Sequence, residues 1–400
     1  MSLKKIFSLV VTLSLVLSVF TPAVFAATET EISGNGSFST NTVDVVESEE
    51  KIVVQDNSAF IKNVINSEAN SGGNRVDDNT GGDVSLFTGN AVTSVEISNM
   101  ANLNQASIED CDGCPSDELA KISGNGSMSE NSITKFSCDD IEVFQDNFAK
   151  LDNHVNAKAK SGYNDVNRNT GGDVIVSTGA AGASISIDNL ANANIASIGG
   201  AANGSEDGAV EAIVTGNGSY SLNNISLFEN RLVSVVQDNL AFIKNKANAE
   251  AVSGKNDVND NTNGSVFLDT GAVLADVEID NTANFNWADI ECCLTGETIE
   301  VSGNGSVSDN SVFLNEFDSL FVFQDEGGWL KFDNRVNAFP KSGHNEAVDN
   351  TGSVQSDPIL FTGMAVSRVN VENTGGVNVF GELPELDFEF DLGRVWGLLF

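Results

Sequence analysis

The stretch most able to do chemistry is Asp257-Val-Asn259-Asp260-Asn261-Thr-Asn263-Gly264. Its oxygen-bearing side chains fall at alternate positions, a spacing that suits a hard cation such as calcium. Matching positions earlier in the chain read Asp165, Asn167 and Asn169. Further counterparts are Arg75-Val-Asp77-Asp78-Asn79 and Glu346-Ala-Val348-Asp349-Asn350, so the ligand set erodes from copy to copy. Asp257, Asn259, Asn261, Asp165, Asn167 and Asn169 are therefore the candidate calcium ligands, and calcium is the one candidate cofactor. The competing reading is that Asn and Asp stand there because they favour turns.

Other chemistry-bearing residues point to no reaction. The two histidines, His154 and His344, occupy positions that do not correspond between copies. No nucleophile motif accompanies either of them. Gly-x-Gly-Ser has the glycines of a phosphate loop, but no lysine follows it, so these glycines read as strand corners. Cys111-Asp-Gly-Cys114 has the spacing of half a zinc site, yet no second pair completes it. The remaining cysteines are Cys138, Cys292 and Cys293, and an odd count leaves at least one thiol unpaired within the chain. Asn-Gly-Ser at Asn35, Asn125, Asn217 and Asn304 fits the glycosylation pattern, as does Asn203, but its repetition marks it as part of a structural phrase. No catalytic residue is assigned, and a non-enzymatic role is expected.

What must position these residues is a unit copied four times. Ile32-Ser-Gly-Asn-Gly-Ser37 returns from Ile122, from Val214 (with Thr215) and from Val301. Gln-Asp follows at Gln55, Gln145, Gln237 and Gln324, then Ser-Gly-x-Asn at Ser71, Ser161, Ser253 and Ser342. Such recurrence marks a tandem architecture. The expected division is a signal peptide at 1–26, repeats at 32–121, 122–213, 214–300 and 301–380, and a C-terminal cap or tail at 381–400.

Within each unit apolar and small residues recur every second position, as in Ala91, Thr93, Val95, Ile97, Asn99 and their copies. Period two is the mark of a strand. The fourth copy is two residues longer between Gln324 and Asn334 than the first between Gln55 and Asn63, and an even insertion keeps a strand's side chains on their faces. Glycine and asparagine at 34–36, 72–74, 79–82 and 89 predict corners that divide each unit into several short strands.

The repeated stripe is rich in Asn, Ser and Ala. A two-sheet sandwich has a core about 10 Å thick and calls for larger side chains. A thin solenoid stacks identical residues about 4.8 Å apart, so asparagines can form ladders and small residues can fill the interior. The expected fold is an all-β tandem-repeat β-solenoid, with a string of four Ig-like sandwiches as the alternative. Asn57, Asn63, Asn147, Asn153, Asn239 and Asn245 are the expected ladder residues.

The phrases Asn57-x-Ala59-x3-Asn63, Asn147-x-Ala149-x3-Asn153 and Asn239-x-Ala241-x3-Asn245, each preceded by Gln at 55, 145 or 237, resemble the curlin repeat. The likeness covers about nine residues in three units, where curlin has glycine at the place of Asp56 and Gln at the place of Asn63. It implies Gln and Asn ladders in a stacked cross-β subunit. The whole unit, with its Asn-Thr-Gly-Gly and Thr-Gly-x-Ala phrases, is also similar to uncharacterised secreted bacterial repeat proteins, a similarity that brings no activity with it. The Asp257 stretch resembles the start of an EF-hand loop without its distant glutamate.

Charge and the chain's beginning narrow the setting. The formal charge is −37, and residues 1–26 contribute two lysines and no acid to it. So acidic a chain is not expected to bind nucleic acid. Lys4 and Lys5, the apolar run from Ile6 to Phe20 and Ala26 after Val24 have the layout of a signal peptide. No transmembrane span is expected after it. The expectation is a secreted structural repeat protein, extracellular or at the cell surface, stiff, adhesive or filament-forming. Its expected partners are itself, other surface proteins or glycans. The alternative is a calcium-dependent adhesin or a glycan- or protein-binding module.

Overall fold

The computed structural model describes residues 29–108, 118–199, 209–291, 296–325, 329–352 and 358–381. The expected signal peptide, Cys111, Cys114, Cys292, Cys293, Asn203 and the segment 382–400 lie outside the described residues. Among the described residues the chain is built from strands, and none of its helices could span a membrane because it has none.

The first coil runs through β1 (Glu29–Ser33), β2 (Thr40–Asn70), β3 (Arg75–Asp77), β4 (Val84–Phe87) and β5 (Ala91–Ile108). The second repeats it as β6 (Glu118–Ser123), β7 (Glu130–Lys160), β8 (Asp165–Asn167), β9 (Val174–Ser177) and β10 (Ala181–Gly199). The third has β11 (Ala209–Thr215), β12 (Leu222–Val252), β13 (Val266–Asp269) and β14 (Val273–Glu291). The fourth has β15 (Gly296–Ser302), β16 (Asp309–Asp325), β17 (Leu330–Lys341), β18 (Ile359–Phe361) and β19 (Ala365–Phe380).

Each strand pairs in parallel with its counterpart in the adjacent copy, in the order β1-β6-β11-β15, β2-β7-β12-β16, β4-β9-β13-β18 and β5-β10-β14-β19. The molecule is thus a β-solenoid, and the sandwich alternative fails because the copies share their sheets. Asn41 aligns with Asn131, Asn223 and Asn310, and the offsets of 90, 92 and 87 residues do not disturb the register. The two extra residues of the fourth copy fall between β16 and β17, after which Asn334 again aligns with Asn245. Even spacing preserved the face, as a period of two requires.

The strands are not the short ones that the glycine punctuation predicts. β2, β7 and β12 each run for 31 residues. The stretch from Thr40 to Asn70 contains no Gly or Pro, and its asparagines do not act as breakers because their side chains bond across the stack. At about 3.3 Å per residue such a strand is roughly 100 Å long, whereas four coils at about 4.8 Å make a stack roughly 20 Å high. The shape is a plank whose long axis follows the strands.

Within one coil β5 lies face to face with β2, running the opposite way, so Ser67 meets Thr93, Asn63 meets Asn99 and Asn57 meets Asn104. Between the two layers sit rungs of Val, Ile and Ala: Val155, Ala157 and Ala159 against Ala181, Ala183, Ile185 and Ile187, repeated above and below. Small side chains let the layers approach closely enough for amides to bridge them. Among the described residues Phe285, in the third coil, is the largest fully buried side chain.

The corners depend on backbone proximity. At Gly162 an added Cβ would sit 1.9 Å from the carbonyl oxygen of Gly254, so the stack admits nothing larger. Ser161 Oγ donates to the carbonyl of Gly179, and Thr178 Oγ1 donates to the carbonyl of Ser253. The recurring Ser-Gly-x-Asn and Thr-Gly phrases are therefore two halves of one bonded corner.

Candidate functional site

The feature that fills the interior is a pair of interlocked amide ladders. Asn153 Nδ2 donates to Asn189 Oδ1 across the coil (3.0 Å) and to Asn245 Oδ1 in the next coil (2.8 Å). Its own Oδ1 accepts from Asn63 (2.8 Å) below and from Asn99 (3.1 Å) on the opposite layer. Both amide hydrogens and both carbonyl lone pairs are thereby used. Asn99, Asn189, Asn281 and Asn373 form the facing ladder, and the zigzag runs through all four coils to Asn334. Asn153, Asn189, Asn245 and Asn281 are 0 % exposed, so without this pairing each would carry the cost of a buried unsatisfied amide.

A second double ladder lies six residues away. Asn57, Asn147 and Asn239 interleave with Asn104, Asn194, Asn286 and Asn378 in the same manner. Beside it Gln145 donates to Gln55, Gln237 to Gln145 and Gln324 to Gln237, each at 2.8 Å. The glutamine ladder points toward the first coil and the asparagine ladders toward the fourth. All six expected ladder residues are in these two systems, and their amides point inward.

Sequence reasoning missed half of the arrangement. Asn104, Asn194, Asn286 and Asn378 stand at one register in the four copies and went unremarked, although laying the copies over one another exposes them. Also missed was the left-handed residue that brings them inward. Asn102, Asn192 and Asn284 all have φ of 60°, and Gly376 takes their place in the fourth coil with φ of 74°. Asparagine tolerates that conformation better than most residues, and it here contributes a ladder of its own. Further ladders sit at the corners, at Asn35, Asn125, Asn217 and Asn304 and at Asn74, Asn164, Asn256 and Asn345. Asn125 and Asn217 are buried there, which denies their Asn-Gly-Ser sequences to a glycosylating enzyme in the folded chain.

The candidate calcium ligands are divided among three tasks. Asn169 and Asn261 are buried members of a ladder, donating to Asn261 and Asn350 respectively. Asn167 and Asn259 turn their Oδ1 atoms to backbone N–H groups of the next coil, those of Asn259 (2.8 Å) and Val348 (2.9 Å). Asp165 and Asp257 align in one column with Glu346. Burial and the flanking carboxylates of Asp165 and Glu346 push the Asp257 carboxyl above its ordinary range. Among the described residues no group of three or more His, Cys, Asp or Glu side chains is arranged to hold a metal ion. In the first copy Asp77 pairs with Arg75, which holds its carboxyl below the usual range, and Asp78 pairs with Arg168 at 2.7 Å.

The outer faces carry stacks of a different kind. Asp56, Asp146, Asp238 and Asp325 stand in one column, one residue from the inward asparagines. Partial burial, then the neighbouring aspartates, raise the carboxyls of Asp146 and Asp238, against a backbone N–H bond that lowers them. Phe60, Phe148 and Phe242, scattered in sequence offset, meet as tilted rings 5.2 and 6.3 Å apart. Phe136 and Phe228 stack at 4.7 Å, with Phe313 beyond at 5.5 Å. His154 lies on the outer face of β7, and His344 sits at a left-handed corner aligned with Tyr163 and Lys255. Cys138 is a free, half-buried thiol. Comparison of the chain with protein-family models, curated proteins and solved structures finds no match.

Proposed function

We propose that the chain is an exported structural element, extracellular or at the cell surface, whose work is mechanical. The supporting observation is the double amide ladder: a core in which each coil is bonded to the next by side chains as well as backbone resists sliding of one coil past another. Shearing one coil from its neighbour requires breaking a row of main-chain bonds and several buried amide bonds together, at about 1 kcal/mol net for each. The acidic exterior, at a formal charge of −37 for the whole chain, keeps such surfaces from nonspecific association. Adhesion is the second role this reading includes, and the outward phenylalanine rows on the long strands, exposed at Phe60, Phe136 and Phe313 and half-buried at Phe148, Phe228 and Phe242, support it, since aromatic rings supply apolar contact to a partner protein or a sugar face.

The test is placement followed by loss. Antibodies raised against the third coil are expected to label intact producing cells or their medium, and removal of the gene is expected to weaken cell-surface attachment or cohesion. Labelling confined to the cell interior would sink the proposal.

A further inference from the structure

Among the described residues no coil lies beyond coil 1 or coil 4, and the two ends differ in the sense of their inward asparagine ladders. In coils 2, 3 and 4 the backbone N–H groups of Gly126, Gly218 and Gly305 donate to the carbonyls of Asn35, Asn125 and Asn217 in the preceding coil. Glu130, Leu222 and Asp309 do the same to Ser39, Ser129 and Ser221, and Thr170, Thr262 and Thr351 to Asn79, Asn169 and Asn261. The equivalents in coil 1 are Gly36, Thr40 and Thr80, and among the described residues no coil precedes them. The equivalent acceptors in coil 4 are the carbonyls of Asn304, Ser308 and Asn350, and among the described residues no coil follows them. The side chains repeat the asymmetry: the asparagine ladders end with Nδ2 donors at coil 4 and begin with Oδ1 acceptors at coil 1.

From this we infer that coil 4 of one molecule receives coil 1 of a second copy, in the same parallel register that joins coils within the chain. This rests on the structural reading above and names its partner. The main-chain edges carry donors and acceptors alike, since Gly34, Phe38 and Ser71 also donate to Ser123, Ser127 and Lys160, so the inward asparagine ladders decide the sense: their donors meet acceptors head to tail, whereas coil 1 against coil 1 would set acceptor against acceptor in each of them. A head-to-tail contact related by a step along the stack does not close on itself, so it builds a filament.

Three further observations favour a second copy. Inward residues of the outer coils, among them Val53, Ile61, Ile65, Val322 and Phe332, stay partly exposed while their counterparts in coils 2 and 3 are buried. Among the described residues half of the coils lack one neighbour, so such edges are a large part of this thin plank. The ends of the described chain also lie where successive coils are joined. The chain leaves coil 4 at Gly381, tied to Ala288 and Trp287, and enters coil 1 at Glu29, the same points that 109–117, 200–208 and 292–295 connect between coils. Charge agrees as well. Lys121, Lys135 and Lys160 cross to Glu31, Glu47 and Glu68 of the adjacent coil at 3.1, 2.9 and 2.9 Å. Lys341 occupies the Lys160 column and lies 3.9 Å from Glu250 of coil 3, and in the stack it stands between that carboxylate and, on the other diagonal, Glu68 of the next copy.

The experiment is sedimentation velocity with electron microscopy on the full chain and two blocked forms. Thr40→Pro with Thr80→Pro removes two donors from the open edge of coil 1. Asn310→Asp with Asn350→Asp keeps the oxygens used by coil 3 and removes the donors facing outward from coil 4, together with the bonds these amides make to Ser308 Oγ and the Val258 carbonyl. The unaltered chain is expected to form linear stacks that lengthen with concentration, each blocked form to stay single, and their equal mixture to form dimers. Circular dichroism checks that the variants fold. Lys341→Glu, which touches no core residue, is expected to raise the half-assembly concentration by about two- to fivefold. Self-association of either blocked form alone would overturn the head-to-tail assignment. So would a chain that stays single until 382–400 is deleted, since its own tail would then be the occupant, or one that stays single even after that deletion. A chain that does not stack but is found at the cell exterior leaves the structural proposal standing, whereas stacks formed by a chain retained inside the cell leave only this inference.

Discussion

Asn239 and Asp238 are neighbours on one strand, stand in columns of identical spacing, and experience opposite physics. Asn239 accepts from Asn147 in its own column and from Asn194 on the facing layer and donates to Asn286, so the repeat distance of a parallel sheet turns one residue type into a continuous bonded zigzag. Along the aspartate column the same distance sets like charges together, and partial burial strengthens their repulsion. Stacking amplifies whatever a residue does to a copy of itself. A self-complementary side chain gains from repetition, and a charged one loses.

The contrast is broken most severely by Asn153→Leu. Four amides, Asn63, Asn99, Asn189 and Asn245, each lose a bond in a region closed to water. At about 1–3 kcal/mol for a stranded buried polar group, and with partial rearrangement, the loss is expected to be about 3–5 kcal/mol, read as a fall in the urea midpoint. Gly162→Ala comes next, because its Cβ would overlap a backbone carbonyl that cannot yield without parting the coils; about 2–3 kcal/mol is expected by the same measurement.

At the edge of the stack the effects shrink. Asn57→Leu disturbs a ladder terminus bonded to Asn104, and about 1–2 kcal/mol is expected. Ser58→Leu, one residue away on the exposed face, is expected to change stability by less than about 0.5 kcal/mol. Equal tolerance of the two would reverse the assigned faces.

The smallest and most discriminating change is Asp238→Asn, which converts one member of the unfavourable column into the favourable kind. A small rise in melting temperature is expected at neutral pH. The folded-state pKa of Asp146 and Asp238 lies above the unfolded value, so the folded state takes up protons first. Their stabilising contribution is full below the unfolded pKa and is lost as pH rises through the folded pKa. The advantage of Asp238→Asn should therefore vanish in melts at progressively lower pH. Asp77 and Asp78 act in the other direction: Arg75 and Arg168 lower their pKa values, and that contribution disappears as pH falls through the folded pKa.

Much of this was legible in the sequence, because a solenoid writes its contacts as recurrence. Gln55, Asn57 and Asn63 returned at fixed offsets, and the period of two told which side they share. Asn104 was harder to read, since the left-handed Asn102 shifts the alternation by one residue before it. The length of β2 was illegible for a related reason. Asparagine is usually counted as a breaker because its side chain competes for its own backbone, and here that side chain is engaged by the next coil. The spacing of Asn167 and Asn169 suits a cation or a turn, and sequence alone does not show that their hydrogen-bond partners lie 92 residues away.

The register that survives offsets of 90, 92 and 87 residues has an evolutionary consequence. Since every coil offers its successor the same seat, a gene of this design grows or contracts by unequal crossing-over between its own segments without a new surface having to be invented. Copy number then becomes a heritable variable, and kindred chains of three, five or more windings would be products of recombination alone.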